Sequence, residues 1–267
     1  MKIVTLIENL AESSGLVAEH GLSLYIDTGD QKILFDTGQS GLFIQNARKL
    51  GIDIRDIDYL IISHGHFDHT GGLYPFLEMN AKAKVFAKQG IFTPKYNGKT
   101  RFIGTEFVEE AVSGRFEFIN SVTEIIPDLF VIPAIPLHHD IDTNFTRLYK
   151  KEGDSFFPDE FEDELFVVIK KSDHINILTA CSHRGITNIC ETAVQHFGLP
   201  VNLIIGGFHM KDCSAEQYVH IVNYLHKLQP KLMGVCHCTG VDKFASLMGE
   251  CDAKVFYNCT GNEITIK

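Results

Sequence analysis

The segment Ser63-His64-Gly65-His66-Phe67-Asp68-His69-Thr70-Gly71-Gly72 carries four potential metal donors within six consecutive positions, His64 to His69. On an extended loop His64 and His66, two apart, point their imidazoles the same way, while Asp68 and His69 turn toward an adjacent position, so two neighbouring cations could share the loop. Imidazole and carboxylate suit zinc, iron or manganese. They bind in the unprotonated form, which neutral pH supplies once a metal is present. Gly65, Gly71 and Gly72 allow the tight backbone such a loop needs. A chance group of surface histidines is the competing reading, and the position just after an apolar run argues against it.

Three later segments offer more donors. In Leu178-Thr179-Ala180-Cys181-Ser182-His183, Cys181 and His183 are two apart at a strand end and both can face one site, where a thiol beside cations loses its proton readily. Cys181 could instead be a small buried hydrophobe, and His183 a hydrogen-bonding residue at a helix start. Gly206-Gly207-Phe208-His209 ends another apolar run. In Gly234-Val235-Cys236-His237-Cys238-Thr239-Gly240, an extended backbone would point Cys236 and Cys238 away from His237, leaving core packing or a separate Cys-X-Cys zinc site.

These residues need strand ends to hold them. Tyr59 to Ile62 is a continuous apolar run, as in a strand buried on both faces, and the histidine segment begins directly after it. Lys2 to Ile7 reads as a first strand, and Leu22 to Asp27 with Lys32 to Asp36 as a hairpin across Thr28-Gly29-Asp30-Gln31. Leu42, Phe43, Ala47 and Leu50 predict a helix capped by Ser40 and stopped by Gly51. Leu73, Phe76 and Leu77 predict another after Gly72, followed by a strand over Lys84 to Ala87. The second half alternates strands at 165–169, 175–178, 201–205, 232–235 and 254–257 with helices at 185–197, 215–228 and 242–248. This is an α/β pattern.

Two stretches lose periodicity. Lys88 to Ile126, punctuated by Pro94, Gly98, Gly104 and Gly114, reads as an irregular insertion that could cover a substrate and is expected to hold some short elements of its own. His138 to Glu164 ends in the acidic run Pro158 to Glu164, which reads as a solvated loop. No linker divides the chain, so 1–267 is expected to form a single domain.

Composition narrows the function. With 267 residues, 45% hydrophobic and 22% charged, the chain has an ordinary globular make-up. Its mean hydropathy is +0.02. A net charge of −10 gives no cationic footprint for nucleic acid or anionic lipid. No apolar run approaches the roughly 20 residues of a membrane span, and no secretory signal opens the sequence. Seven cysteines, an odd number, point to reduced thiols and a cytoplasmic setting. The expected partner is a small-molecule substrate, and the sequence leaves the oligomeric state open.

The histidine run resembles the His-X-His-X-Asp-His signature of the metallo-β-lactamase superfamily. The resemblance implies an αββα sandwich, two mixed sheets flanked by helices, with one or two metals along an edge. Phe35-Asp36-Thr37-Gly38 looks like the family's early Asp-Thr-Gly turn, which implies that Asp36 supports the metal loop from behind. Cys181 stands where the family more often has aspartate. His237 resembles its last ligand histidine and would join Asp68 and His69. The place of His209 resembles that of a proton-donating histidine in phosphodiesterase branches. His138 and His139 lie where relatives often place a third histidine and compete with His183.

Taken together, Ser-His-Gly-His-Phe-Asp-His-Thr-Gly-Gly, Cys-Ser-His-Arg-Gly, Gly-Gly-Phe-His, Cys-His-Cys-Thr-Gly and the early Ala18-Glu19-His20-Gly21-Leu22-Ser23 look like the branch containing archaeal dihydropterin ribofuranosylaminobenzene phosphate synthase. The resemblance implies metal ligands His64, His66, Asp68, His69, Cys181, His183 and His237, with Asp68 and His209 as catalytic residues. The expected cofactors are two divalent ions, zinc first and manganese or iron otherwise. The leading expectation is a hydrolase using a hydroxide held between the cations on a small phosphorylated or ester-containing molecule. A pterin-linked transferase or synthase is the alternative, and a di-iron oxidoreductase a weaker third, since no flavin domain is appended.

Overall fold

Runs rich in Ile, Val and Leu, bounded by turn residues, form strands here because branched side chains pack well on a pleated surface. In the computed structural model, which describes residues 1–266, they sort into two compact units. The first unit comprises residues 1–119, 147–159 and those from Cys259 onward, and the second residues 120–146 and 160–258.

The first unit runs β1 (Lys2–Ile7), β2 (Ser23–Asp27), β3 (Lys32–Phe35), α1 (Leu42–Lys49), β4 (Tyr59–Ile61), α2 (Phe67–Thr70), α3 (Leu73–Met79), β5 (Lys84–Ala87), β6 (Lys95–Asn97), β7 (Arg101–Phe102), α4 (Glu109–Val112) and β8 (Phe116–Phe118). After β9 (Thr123–Ile126) and β10 (Leu129–Ile132) of the second unit, β11 (Leu148–Glu152) and β12 (Ser155–Pro158) return to the first. The second unit continues through β13 (Phe166–Lys170), β14 (Ile175–Leu178), α5 (Ile186–Phe197), β15 (Val201–Gly206), α6 (Ala215–Leu228), β16 (Leu232–Val235), α7 (Val241–Glu250) and β17 (Lys254–Tyr257), and β18 (Glu263–Thr265) closes the first.

Each unit is built on a seven-stranded mixed sheet. The first has the order β18-β1-β2-β3-β4-β5-β8 and the second β17-β16-β15-β14-β13-β10-β9. In the first, β18, β1, β2 and β3 pair antiparallel, then β3, β4, β5 and β8 pair parallel. In the second, β17, β16, β15 and β14 pair parallel, then β14, β13, β10 and β9 antiparallel. Parallel strands are covered by their crossover helices, so they read as unbroken apolar runs: Leu60 and Ile61 of β4 and Ile204 and Ile205 of β15 are fully buried. Leu6, Leu34, Phe43, Leu60 and Phe76 lie in the first core, and Phe166, Ile177, Ile189, Ile204 and Ile221 in the second. Such burial contributes roughly 1.5–3 kcal/mol per side chain.

Two local expectations are corrected. Gly41, not Ser40, holds the α1 cap position, although the Ser40 hydroxyl accepts the Leu42 amide at 3.2 Å while donating to the Glu19 carboxylate at 2.6 Å. The short elements expected within Lys88 to Ile126 include β6 and β7, which join β11 and β12 in a further sheet of the first unit, ordered β12-β11-β6-β7. For the same reason His138 to Glu164 is no plain loop. No helix among the described residues is long and apolar enough to cross a membrane.

Candidate metal centre

In the first unit the donors lie just beyond the parallel strands, where loops at the carboxyl ends of such strands commonly carry chemistry. Asp36 follows β3 in a left-handed conformation, with φ of 60°. One of its oxygens accepts from the Ser63 amide at 2.7 Å, and the other accepts from the Ser63 hydroxyl at 2.6 Å and from His69 Nδ1 at 2.7 Å. Ser63 Oγ in turn accepts from His64 Nδ1 at 2.9 Å. With Nδ1 occupied on both rings, Nε2 is the nitrogen that His64 and His69 present to a cation, the usual arrangement behind ligating histidines. The His64 ring lies 4.8 Å from His66 and 4.4 Å from His69, and His69 Nε2 is 3.8 Å from Asp68 Oδ2. All four donors are buried. Burial, with His69 and His66 alongside, holds the His64 imidazole well below its ordinary pKa and keeps it in the neutral form that ligates.

Close backbone contacts shape this loop. A Cβ at Gly65 would collide with the Ile91 carbonyl, and one at Gly72 with the Thr37 carbonyl. From the insertion, the Ile103 carbonyl accepts the Phe67 amide at 2.9 Å at the start of α2, and Thr105 hydrogen-bonds Thr70.

In the second unit the donors come from three separate strand ends. Cys181 and His183 follow β14, His209 follows β15 and His237 follows β16. Hydrogen bonds join these loops: the Gly207 amide donates to the Ala180 carbonyl at 2.8 Å, Ser182 Oγ to the Gly207 carbonyl at 2.7 Å, and the Cys236 amide to the Gly206 carbonyl at 3.1 Å. Ser182, His209 and His237 all have positive φ, at 59°, 50° and 53°. Such conformations cost non-glycine residues about 1–2 kcal/mol each and gather where a site demands a particular side-chain direction. Cys181, His183 and His237 are buried, whereas His209 is partly exposed and its ring lies 4.5 Å from that of His183. Phe161 stacks on His183 with centroids 3.7 Å apart and planes 10° from parallel.

Several readings change here. The acidic run is not simply a solvated loop, because Asp159, Asp163 and Glu164 are buried. The Glu164 carboxylate accepts the His183 amide at 2.7 Å and the Arg184 amide at 2.8 Å, fixing the backbone that carries His183, while burial raises its pKa to about 7. Asp159 accepts from Lys95 Nζ at 2.6 Å with both side chains 3% exposed, an ion pair within the first unit. Their partners are 64 and 19 residues away in sequence, beyond any local pattern. The opposition expected of Cys236 and Cys238 to His237 rests on an extended backbone, but His237–Thr239 is a 3-10 turn. Cys238 Sγ instead donates to the Cys181 carbonyl at 3.3 Å. His139 packs on His220, 5.0 Å away, and on Tyr224, 5.2 Å away, while His138 is exposed.

Imidazoles, a carboxylate and a thiol, with the outer nitrogens of His64 and His69 already hydrogen-bonded, suit a divalent cation. A family model described as the metallo-beta-lactamase superfamily matches residues 17–166. The chain belongs to the metallo-β-lactamase superfamily. It is 33% identical over 261 residues to 7,8-dihydropterin-6-methyl-4-(beta-D-ribofuranosyl)-aminobenzene-5'-phosphate synthase of Methanocaldococcus jannaschii, covering 90% of this chain and 88% of that one. It is also similar to the crystal structure of Tm1679, a metal-dependent hydrolase of the β-lactamase superfamily, with a TM-score of 0.89 and 30% identity over 100% of this chain and 99% of the other. The fold is shared with the metallo-β-lactamase fold protein YhfI of Bacillus subtilis, at a TM-score of 0.57 and 13% identity over 98% of each chain. As in other members of the superfamily, mixed sheets flanked by helices carry the candidate ligands at strand ends.

Proposed function

We propose that this superfamily member is a metal-dependent hydrolase holding two divalent cations, with zinc the first candidate. The ligands would be His64, His66, Asp68 and His69 in the first unit and Cys181, His183 and His237 in the second. The observation that carries this reading is the donor set itself: buried histidines whose outer nitrogens are held by Asp36 and Ser63, with the carboxylate of Asp68 beside them. When bound, such cations lower the proton affinity of a water molecule and polarise the substrate oxygen. His209 holds the proton that a departing oxygen would need, from a partly exposed position beside His183. The substrate class is a small phosphorylated or ester-containing molecule, and the setting the cytoplasm.

A second reading, a pterin-linked synthase, is favoured by the 33% identity to the archaeal enzyme. One experiment separates the two. The chain loaded with zinc, and separately with manganese, is assayed on chromogenic phosphomonoesters, phosphodiesters and carboxylic esters, and in parallel on a dihydropterin with a ribofuranosylaminobenzene phosphate. Release of the chromophore supports the hydrolase. Turnover only when both pterin and phosphoribosyl substrates are present replaces it with the synthase.

A further inference from the structure

The segment Ala18 to Ser23 has no task in the proposed function, yet hydrogen bonds on both sides of His20 fix it. The Glu19 amide donates to the Glu8 carbonyl at 3.2 Å, and the Glu19 carboxylate accepts from the amides of Gln39 and Ser40 at 3.2 and 3.0 Å. The Gly21 amide donates to Asn9 Oδ1 at 3.1 Å, and the Leu22 amide to the Asp68 carbonyl at 3.3 Å. Gly21 has a φ of +149°, and any Cβ there would run into that same Asp68 carbonyl. The loop therefore needs glycine to lie so close to α2. Between these fixed points the His20 side chain, 57% exposed, brings Nε2 to 3.2 Å from Asp68 Oδ2.

We infer that His20 is a positioning residue for Asp68: Nε2–H donates to Oδ2 and fixes the plane of the carboxylate before a cation arrives. The terminal torsion of an aspartate is broad, so a ligating carboxylate gains direction from an outer hydrogen bond. Ser63 does this for His64, Asp36 for His69 and Glu164, through the backbone, for His183. His20 does the same for Asp68 from the solvent side. An exposed ion pair is usually worth little because ordering two side chains offsets its attraction. Here the backbone bonds of Glu19, Gly21 and Leu22 already hold the loop.

The inference rests on the reading of Asp68 as a metal ligand, and the test separates the two. Zinc and manganese affinities of the full chain are measured by chelator competition for the wild type, Asp68→Ala, His20→Ala and His20→Gln, with melting of each metal-free protein alongside. Asp68→Ala should lose the most affinity. His20→Ala should lose about 10- to 100-fold, the usual cost of removing an outer partner. His20→Gln, whose amide can donate the same bond, should recover most of that loss, with metal-free melting temperatures unchanged throughout. Wild-type affinity in His20→Ala beside a loss in Asp68→Ala overturns the inference and leaves the ligand reading standing. Wild-type affinity in Asp68→Ala overturns both. A lowered melting temperature in His20→Ala that His20→Gln fails to restore also overturns it, since His20 would then merely hold the loop.

Discussion

In the first unit the donors come from one contiguous run, His64 to His69, braced by Asp36 and Ser63; in the second they come from three strand ends, at Cys181 and His183, His209, and His237. The two sheets share a pattern of three antiparallel and three parallel pairings, and both units place their donors after parallel strands. Their local constraints differ. The first unit uses glycines at Gly65 and Gly72 to bring backbones together, and beside its donor run the non-glycine residue with positive φ is Asp36, which is a brace. The second places His209 and His237, both proposed as functional side chains, in the left-handed region and joins their loops by backbone hydrogen bonds. A contiguous loop can be shaped by its own glycines, whereas donors gathered from separate strands must be aimed one backbone at a time.

Four predictions test that comparison. The largest effect is expected when either unit loses a ligand: His66→Ala and His237→Ala should each release metal and lower turnover by well over about a hundredfold, more than loss of an outer partner costs. Elemental analysis of the purified variants checks this, and unchanged stoichiometry in one of them would mean that its unit supplies no ligand at that position. His209→Ala should keep its metal and slow turnover by about 10²–10⁴, the range of general acid catalysis, and an unchanged rate removes its role as proton donor.

The buried charges of the two units offer smaller tests. Lys95→Met strands the Asp159 carboxylate in the first unit and should cost about 3–5 kcal/mol in denaturant unfolding, with much of the loss recovered when Asp159→Asn is added. In the second unit, Asp142 accepts from the amide and hydroxyl of Thr187 at 2.8 and 2.9 Å, yet burial pushes its pKa up from 3.8 to about 6. A carboxyl that holds its proton more tightly when folded adds stability at low pH and gives it up as pH rises from about 4 to about 6. Asp142→Asn should therefore flatten the stability profile across that window by roughly 3 kcal/mol, measured by urea unfolding at several pH values.

Legibility in the sequence follows the same division between the units. The run from His64 to His69 can be read directly, because six adjacent residues carry its chemistry and the strand before it is a plain apolar run. The strands and helices of the second half are equally plain, down to α6 at Ala215–Leu228. The turn at His237 is less so, since its left-handed backbone is set by neighbouring loops rather than by its own residue types. Glu164 and Asp159 read as solvated because their partners, the backbone at His183 and the Lys95 ammonium, come from other strands. A charge run shows its composition but not what folds over it.

The central claim is that the chain holds two divalent cations through these donors, and anomalous diffraction from zinc-loaded crystals tests it most directly. The account predicts two peaks per chain, at residues among His64, His66, Asp68, His69, Cys181, His183 and His237. A single peak, or peaks away from these residues, would contradict it.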